Sequence, residues 1–429
     1  MLNGMSEVRL ARIGEHLEKY VASGKLPGAS ILVTRLNEPV YYFDTGYADV
    51  ERKTPIARDT VFRIYSMTKP ITSVALMTLY ERGMFQLDDP VSDYIPSWKQ
   101  LRVYESGDGA SMQTRELTEP MTIKHLLTHT SGLTYGFMQN HPVDTLYREK
   151  QVGGGRGRTL QDMVDALAET PLLFDPGSRW HYSVATDVCG YLVEYFSGEP
   201  LDSYIDKNVL QPAGMSHSGF KVKPSDRDLL AACYSYDPSG YKLQDDPTSS
   251  AYHHRPSYLS GGGGMVSTID DYAAFANAML AIDGEDCMLG LRTREYMMSN
   301  HLPHHADLAA MGQSVFAETS FAGVGFGLGF SVVVDPQNSA VLDVYGCAGW
   351  GGAASTYFWI NPQDLITVVF MTQLLPSSTY PIRRELKTLV HQAIVEPADA
   401  GVRDMLTDML LDEAMPDYDG EYDDEPIKH

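Results

Sequence analysis

The sequence predicts an α+β fold: an antiparallel sheet flanked by helices, joined to a mainly helical domain, with the cleft between the two as the default place for a site. Three observations carry this. Strand-like runs gather at both ends of the chain, at 30–35 and 40–46 and again between 327 and 372. Helical patterns fill the middle. Helices also stand at the two ends, where they can cover the faces of a sheet built from the terminal strands. The expected division is a discontinuous sheet domain, residues 1–83 and 261–400, a mainly helical domain, residues 84–260, and an acidic tail, residues 401–429.

Taken in order, Val8, Ile13, Leu17 and Val21 give an amphipathic helix over 6–22, which Gly24 and Pro27-Gly28 end. Strands follow at 30–35 and 40–46 with a turn at Asn37. A short apolar run, 61–65, leads into Ser66. After it Ile71, Val74, Ala75 and Leu79 recur at helical spacing, and Leu76 and Met77 make this helix apolar nearly all round, as in a buried helix. Pro70 fits only in its first turn, where a missing N–H costs little. Arg82-Gly83 supply a C-terminal signal. A proline-rich connection covers 87–98, and Thr122 caps a short helix that runs to Leu127 and the turn Ser131-Gly132.

The run 153–157 is glycine-rich and basic, but it lacks the Lys-Ser/Thr of a phosphate-binding loop and reads as a surface loop. Helices are expected at 160–169 and 185–196, with the turn Pro176-Gly177 before the second. Four glycines, 261–264, read as a place of close backbone packing. Thr268 with Asp271 resembles a capping box for a helix over 269–280. Strands at 327–334, 340–345, 354–360 and 365–372 are separated by turns at Asp335-Pro336, 349–352 and Asn361-Pro362, and a helix over 381–395 closes the fold.

Composition excludes several classes. The 429 residues carry 33 Lys and Arg against 56 Asp and Glu, a net charge of −23, which argues against a nucleic-acid partner. The stretch 412–429 adds eight acids against Lys428 and reads as a solvated extension. The N-terminus has acids and no apolar core of a secretory signal. No apolar run approaches the ~18 residues of a membrane span. No membrane partner is therefore expected, and a cytoplasmic location is. Cys189, Cys233, Cys287 and Cys347 are far apart with no C-x-x-C pair, which fits free thiols. His301, His304 and His305 read as a loop feature. No metal and no cofactor is expected.

The chemistry points to Ser66-Met67-Thr68-Lys69. A serine hydroxyl is a weak nucleophile until a base takes its proton, and Lys69 lies on the same helix face one turn on. The chain has no G-x-S-x-G. The pattern alone leaves a Ser–His–Asp arrangement open, because its members meet only in space. Tyr182-Ser183-Val184, just before a helix, and Gly349-Trp350-Gly351-Gly352, between two strands, are the other stretches that stand out.

Together Ser66-x-x-Lys69, Tyr182, Trp350-Gly351-Gly352 and the phrases LLTHTSGL and SGGGGMVSTIDDY resemble the serine β-lactamase-related superfamily, and within it the family VIII carboxylesterases, from about residue 10 to 395. The resemblance implies a β-lactamase/transpeptidase-like fold. It implies Ser66 as the acylated nucleophile, Lys69 as its partner base, and Tyr182 as the tyrosine that activates Ser66 and later the deacylating water. It implies an oxyanion hole from the backbone N–H groups of Ser66 and Ala353, and a substrate-binding wall of Trp350, Gly351, Gly352 and Val184.

Two departures matter. Valine stands at 184 where β-lactamases usually have asparagine, and Trp350 stands where they have lysine or histidine. Valine cannot hydrogen-bond a substrate amide, and tryptophan cannot pair with a β-lactam carboxylate and offers an apolar wall instead. The implied function is hydrolysis of short-chain carboxylic esters, with a small-molecule ester as partner and weak or no β-lactamase activity. An acyltransferase passing the acyl group to an alcohol is the alternative, and a silent binding protein on the same fold is a third reading that the intact Ser66, Lys69 and Tyr182 argue against.

Overall fold

In the computed structural model, which describes residues 3–155, 157–280, 288–312 and 321–398, strands β1 (Gly28–Arg35) and β2 (Glu38–Asp49) form a hairpin. Its two turn residues, Leu36 and Asn37, both have positive φ, the backbone of the two-residue turn whose twist suits a hairpin. Strand β3 (Thr54–Pro55) pairs beyond β2. From the other end of the chain come β4 (Val324–Phe326), β5 (Ser331–Val333), β6 (Ala348–Gly351), β7 (Tyr357–Asn361) and β8 (Ile366–Met371). The eight make one antiparallel sheet in the order β4-β5-β6-β7-β8-β1-β2-β3, with β8 and β1 joining the two ends of the chain in the register Leu32↔Val369.

The sheet is covered on both faces, so its central strands are apolar on both sides. Helix α1 (Glu7–Ala22), capped by Ser6, and helix α5 (Ile382–His391) lie on one face. There Leu10, Ile13, Leu17, Leu386 and Val390 pack on Ile31, Val33, Val368 and Phe370. On the opposite face lie α2 (Thr68–Glu81) and α4 (Ile269–Leu280), where Leu32, Val369 and Phe358 meet Phe275 and Tyr272. Every residue of α2 from Thr68 to Leu79 is buried, as its all-round apolar pattern predicts. Gly83, at φ +70°, follows its last turn.

Residues 84–260 hold short helices, α3 (Ala185–Ser197) among them, and two hairpins, Arg102–Ser106 with Gln113–Glu116 and Cys233–Asp237 with Gly240–Asp245. The second hairpin is joined by Leu374–Leu375 in parallel. Helix α3 crosses α2, and the two share one apolar core.

Four expectations change. Val8 is 77% exposed, and Leu10 takes its place on the inner face of α1. The expected strand 327–334 is broken by a tight turn in which Gly327 donates to the Phe330 carbonyl. Gly329, at φ +97°, approaches Ser73 so closely there that a Cβ would lie 2.3 Å from its hydroxyl oxygen. Residues 340–345 are irregular because the alternation is interrupted by Asp343, which turns inward to pair with Lys387. The strand falls instead on Ala348–Gly351, so Gly349 and Trp350 sit in the sheet and not in a turn.

Cys189, Cys233 and Cys347 are buried free thiols, while Cys287 and the acidic tail lie outside the described residues. No helix among the described residues is long and apolar enough to cross a membrane.

Candidate active site

Ser66 is delivered by a single 3-10 turn, Tyr65–Met67, that runs directly into α2. Tyr65 has φ +42°, a left-handed conformation that a bulky residue adopts at a cost. Surrounding contacts hold the turn: Met67 N–H bonds to Ile64 O, and the Tyr272 hydroxyl donates to Met67 O at 2.7 Å. Pro70 is the third residue of α2, within the turn whose N–H groups have no helical partner.

Lys69 rises from α2 beneath Ser66 and is 1% exposed. Its Nζ donates to Gly262 O at 2.7 Å and lies 3.3 Å from Ser66 Oγ. The same nitrogen is 4.4 Å from the centre of the Tyr182 ring and 5.5 Å from that of Tyr135. The Gly262 carbonyl is aimed by a buried anchor. Asp187, in the first turn of α3, accepts from Ser260 Oγ at 2.6 Å and from Gly262 N–H at 3.1 Å. Thr72 on α2 donates to Gly261 O at 2.9 Å. A Cβ on Gly262 would lie 2.4 Å from Asp187 Oδ2, and one on Gly261 would lie 2.9 Å from Thr186 O. The glycines are therefore where backbone passes between α2 and α3.

Tyr182 precedes α3 and is 6% exposed. Trp350, on β6, donates its indole N–H to the Tyr182 hydroxyl at 3.5 Å, and the two rings lie 5.5 Å apart. His129 packs against Tyr182 with ring centres 5.0 Å apart and shares a hydrogen bond with Ser183 Oγ at 3.3 Å. Burial, and then the charge of Lys69, hold its imidazole well below the ordinary histidine range, so it stays neutral. Burial, followed by the neighbouring Tyr182 and Asp187, pushes the Tyr135 phenol well up, so Tyr135 keeps its proton.

Ser66, Tyr182, Trp350, Gly351, Gly352 and Ala353 line one cavity of about 680 Å³, with Phe137 and Phe321 among its apolar walls. Its size is that of a pocket for a small organic molecule. Gly352 brings the β6 turn against the segment that carries Ser66: a Cβ there would lie 2.4 Å from Ile64 O.

Most of the residues singled out from sequence thus converge. Val184 does not. It is 1% exposed, sits at the N-terminal cap of α3 with its side chain in the main core, and is not among the described residues lining the cavity. Sequence reasoning missed Asp187, His129 and the Gly262 carbonyl. An acid in the first turn of a helix is too common to be a signal, whereas the phrases that contain His129 and Gly262 carry the family resemblance, with close packing the one role the sequence suggests for the glycines.

The family model described as Beta-lactamase matches residues 13–392. The esterase EstB of Burkholderia gladioli is 31% identical over 382 residues, covering 84% of this chain and 90% of that protein. Among solved structures, EstCE1, described as a hydrolase with promiscuous acyltransferase activity, superposes with a TM-score of 0.74 at 27% identity, over 90% of this chain and 99% of that one. The simvastatin synthase LovD of Aspergillus terreus gives a TM-score of 0.76 at 26% identity, over 90% and 98%.

Proposed function

The chain belongs to the β-lactamase family, and from that premise we propose that it is a serine hydrolase of short-chain carboxylic esters that works through a covalent acyl-enzyme on Ser66. The observation that carries the reading is the placement of Ser66 Oγ 3.3 Å from Lys69 Nζ, in the wall of a largely apolar cavity shared with Tyr182. In the first half-reaction Ser66 Oγ attacks the ester carbonyl and gives its proton to the Lys69–Tyr182 pair. The tetrahedral oxyanion is held by the N–H groups of Ser66 and Ala353. The C–O bond to the alcohol breaks, and the pair returns the proton to the leaving alkoxide. In the second, water gives a proton to the same pair and attacks the acyl carbon, the bond to Ser66 Oγ breaks, and the pair returns the proton to Ser66.

Trp350 supports esters over β-lactams. It offers an apolar face and a single N–H where a β-lactam carboxylate would need a cation.

A second reading keeps the acyl-enzyme and replaces water by an alcohol. Two observations favour it: the cavity has room for more than a short acyl group, and relatives of similar structure include an acyl-transferring hydrolase and a synthase. Product analysis after turnover of p-nitrophenyl butyrate, with and without an added primary alcohol, separates them. Free butyrate as the main product in both supports hydrolysis, and a butyrate ester as the main product with the alcohol present supports transfer. Release of neither product overturns both.

A further inference from the structure

The peptide joining Gly352 to Ala353 has two polar ends that point in opposite directions. Its N–H, on Ala353, is the donor assigned above to the oxyanion. Its C=O, on Gly352, accepts from Arg383 Nη2 at 2.6 Å. The same nitrogen donates to Thr356 O at 2.9 Å, so one guanidinium ties both arms of the turn that Gly352 N–H and Thr356 O close from within.

Glycine makes the room: a Cβ on Gly351 would lie 2.7 Å from Arg383 Cζ. Arg383 is the second residue of α5. A cation at a helix N-terminus opposes the helix dipole, so the helix itself gains nothing from an arginine there.

We propose that Arg383 is the positioning residue of the oxyanion hole. Its charge-assisted bond fixes the plane of the Gly352–Ala353 peptide and so holds the Ala353 N–H toward the place where the oxyanion forms, in the cavity that Ala353 shares with Ser66. Pulling electron density toward the carbonyl oxygen also makes that N–H a stronger donor. The benefit appears when the oxyanion forms, so it falls on kcat rather than on substrate binding. Lysine keeps the charge but not the planar fork, and restores only part of the effect. The proposal rests on the reading of Ser66 as nucleophile and Ala353 as donor.

The test compares wild type, Arg383→Ala and Arg383→Lys in the full chain with p-nitrophenyl butyrate, after near-UV circular dichroism has shown which variants are folded. Losing an oxyanion donor outright costs ~10²–10³ in kcat, and misaligning one costs somewhat less. The expected result is therefore a fall in kcat of about 10- to 100-fold in Arg383→Ala with KM changed by less than about threefold. Arg383→Lys should be intermediate, and millimolar guanidinium should partly rescue Arg383→Ala. If Arg383→Ala does not fold, Arg383→Lys carries the same comparison.

A serine-directed phosphonate separates the two levels of the argument. Failure to label Ser66 in wild type removes the nucleophile and this proposal with it. Labelling of wild-type Ser66 together with an unchanged kcat in the arginine variants, or a loss confined to KM, leaves the nucleophile standing and overturns the role of Arg383.

Discussion

The Lys69 amine meets Tyr182 at the face of its ring, 4.4 Å from the centre. It reaches Ser66 Oγ at 3.3 Å from the same position. The stance is that of a cation on an aromatic face. It puts one amine in contact with both Ser66 and Tyr182.

That shared stance sets the first expectation. Lys69→Ala and Tyr182→Phe should each lower kcat by several orders of magnitude, and the double variant should lose little more than either, because groups acting as a unit are not additive. Steady-state kinetics on the four proteins measure this. Losses that multiply would show that the two act separately.

The Gly262 carbonyl holds the Lys69 nitrogen at 2.7 Å, and Asp187 holds Gly262. Gly262→Ala forces a methyl to within 2.4 Å of the Asp187 carboxylate. Overpacking of this kind costs about 1–3 kcal/mol, and the carbonyl moves with it. A lower melting temperature and a fall in kcat/KM of at least about tenfold are expected, the latter because displacement of a catalytic group by an ångström is costly. A variant as active and as stable as wild type would show that the carbonyl does not position Lys69.

Specificity should follow Trp350. Leaving a β-lactam carboxylate unpaired in a partly dry cleft costs a few kcal/mol, and at ~1.4 kcal/mol per decade this is roughly a hundredfold or more. The kcat/KM for p-nitrophenyl butyrate should exceed that for a chromogenic cephalosporin by at least that factor, and Trp350→Lys should narrow the gap. Comparable values in wild type would remove Trp350 from the explanation. Because Val184 is buried away from the cavity, Val184→Asn is expected to lower stability rather than admit β-lactams.

Stability should fall on mild acidification. His125 Nδ1 accepts the Thr122 N–H at the start of the 123–127 helix, which requires the neutral ring. Burial first, then the charge of Lys124, brings its pKa down to about 4. In the unfolded chain it takes a proton near ~6.5, so between these values the unfolded state binds more protons. The contribution is complete above ~6.5 and is lost as pH falls toward the folded value. Burial lowers His129 and His181 in the same direction. Thermal melts from pH 8 to pH 4 should show a decline through this window, shallower in His125→Gln. An identical slope in the variant would exclude His125 as a contributor.

Much of the site is local in sequence, and that part was legible. Ser66 and Lys69 are one turn apart on a helix whose apolar pattern marks it as buried, and Gly83 marks its end. Strands buried on both faces show as short apolar runs bounded by turn residues, which is why β1, β7 and β8 fall close to their expected places. The parts that were not legible depend on contacts between distant segments. Asp343 breaks the expected strand at 340–345 because Lys387 calls its side chain inward. Val184 points into the core because the register of α3 requires it, and the Lys69 partner is a backbone carbonyl, which no residue type advertises.

The most direct test of the whole account is rapid-quench intact-protein mass spectrometry during turnover of p-nitrophenyl butyrate by wild type and by folded Ser66→Ala. The expected result is one butyryl group on wild type, mapped to the peptide containing Ser66 and formed with a burst of p-nitrophenol, and no adduct or turnover in Ser66→Ala. Substantial esterase activity in Ser66→Ala, or an adduct mapped to another residue, would contradict it.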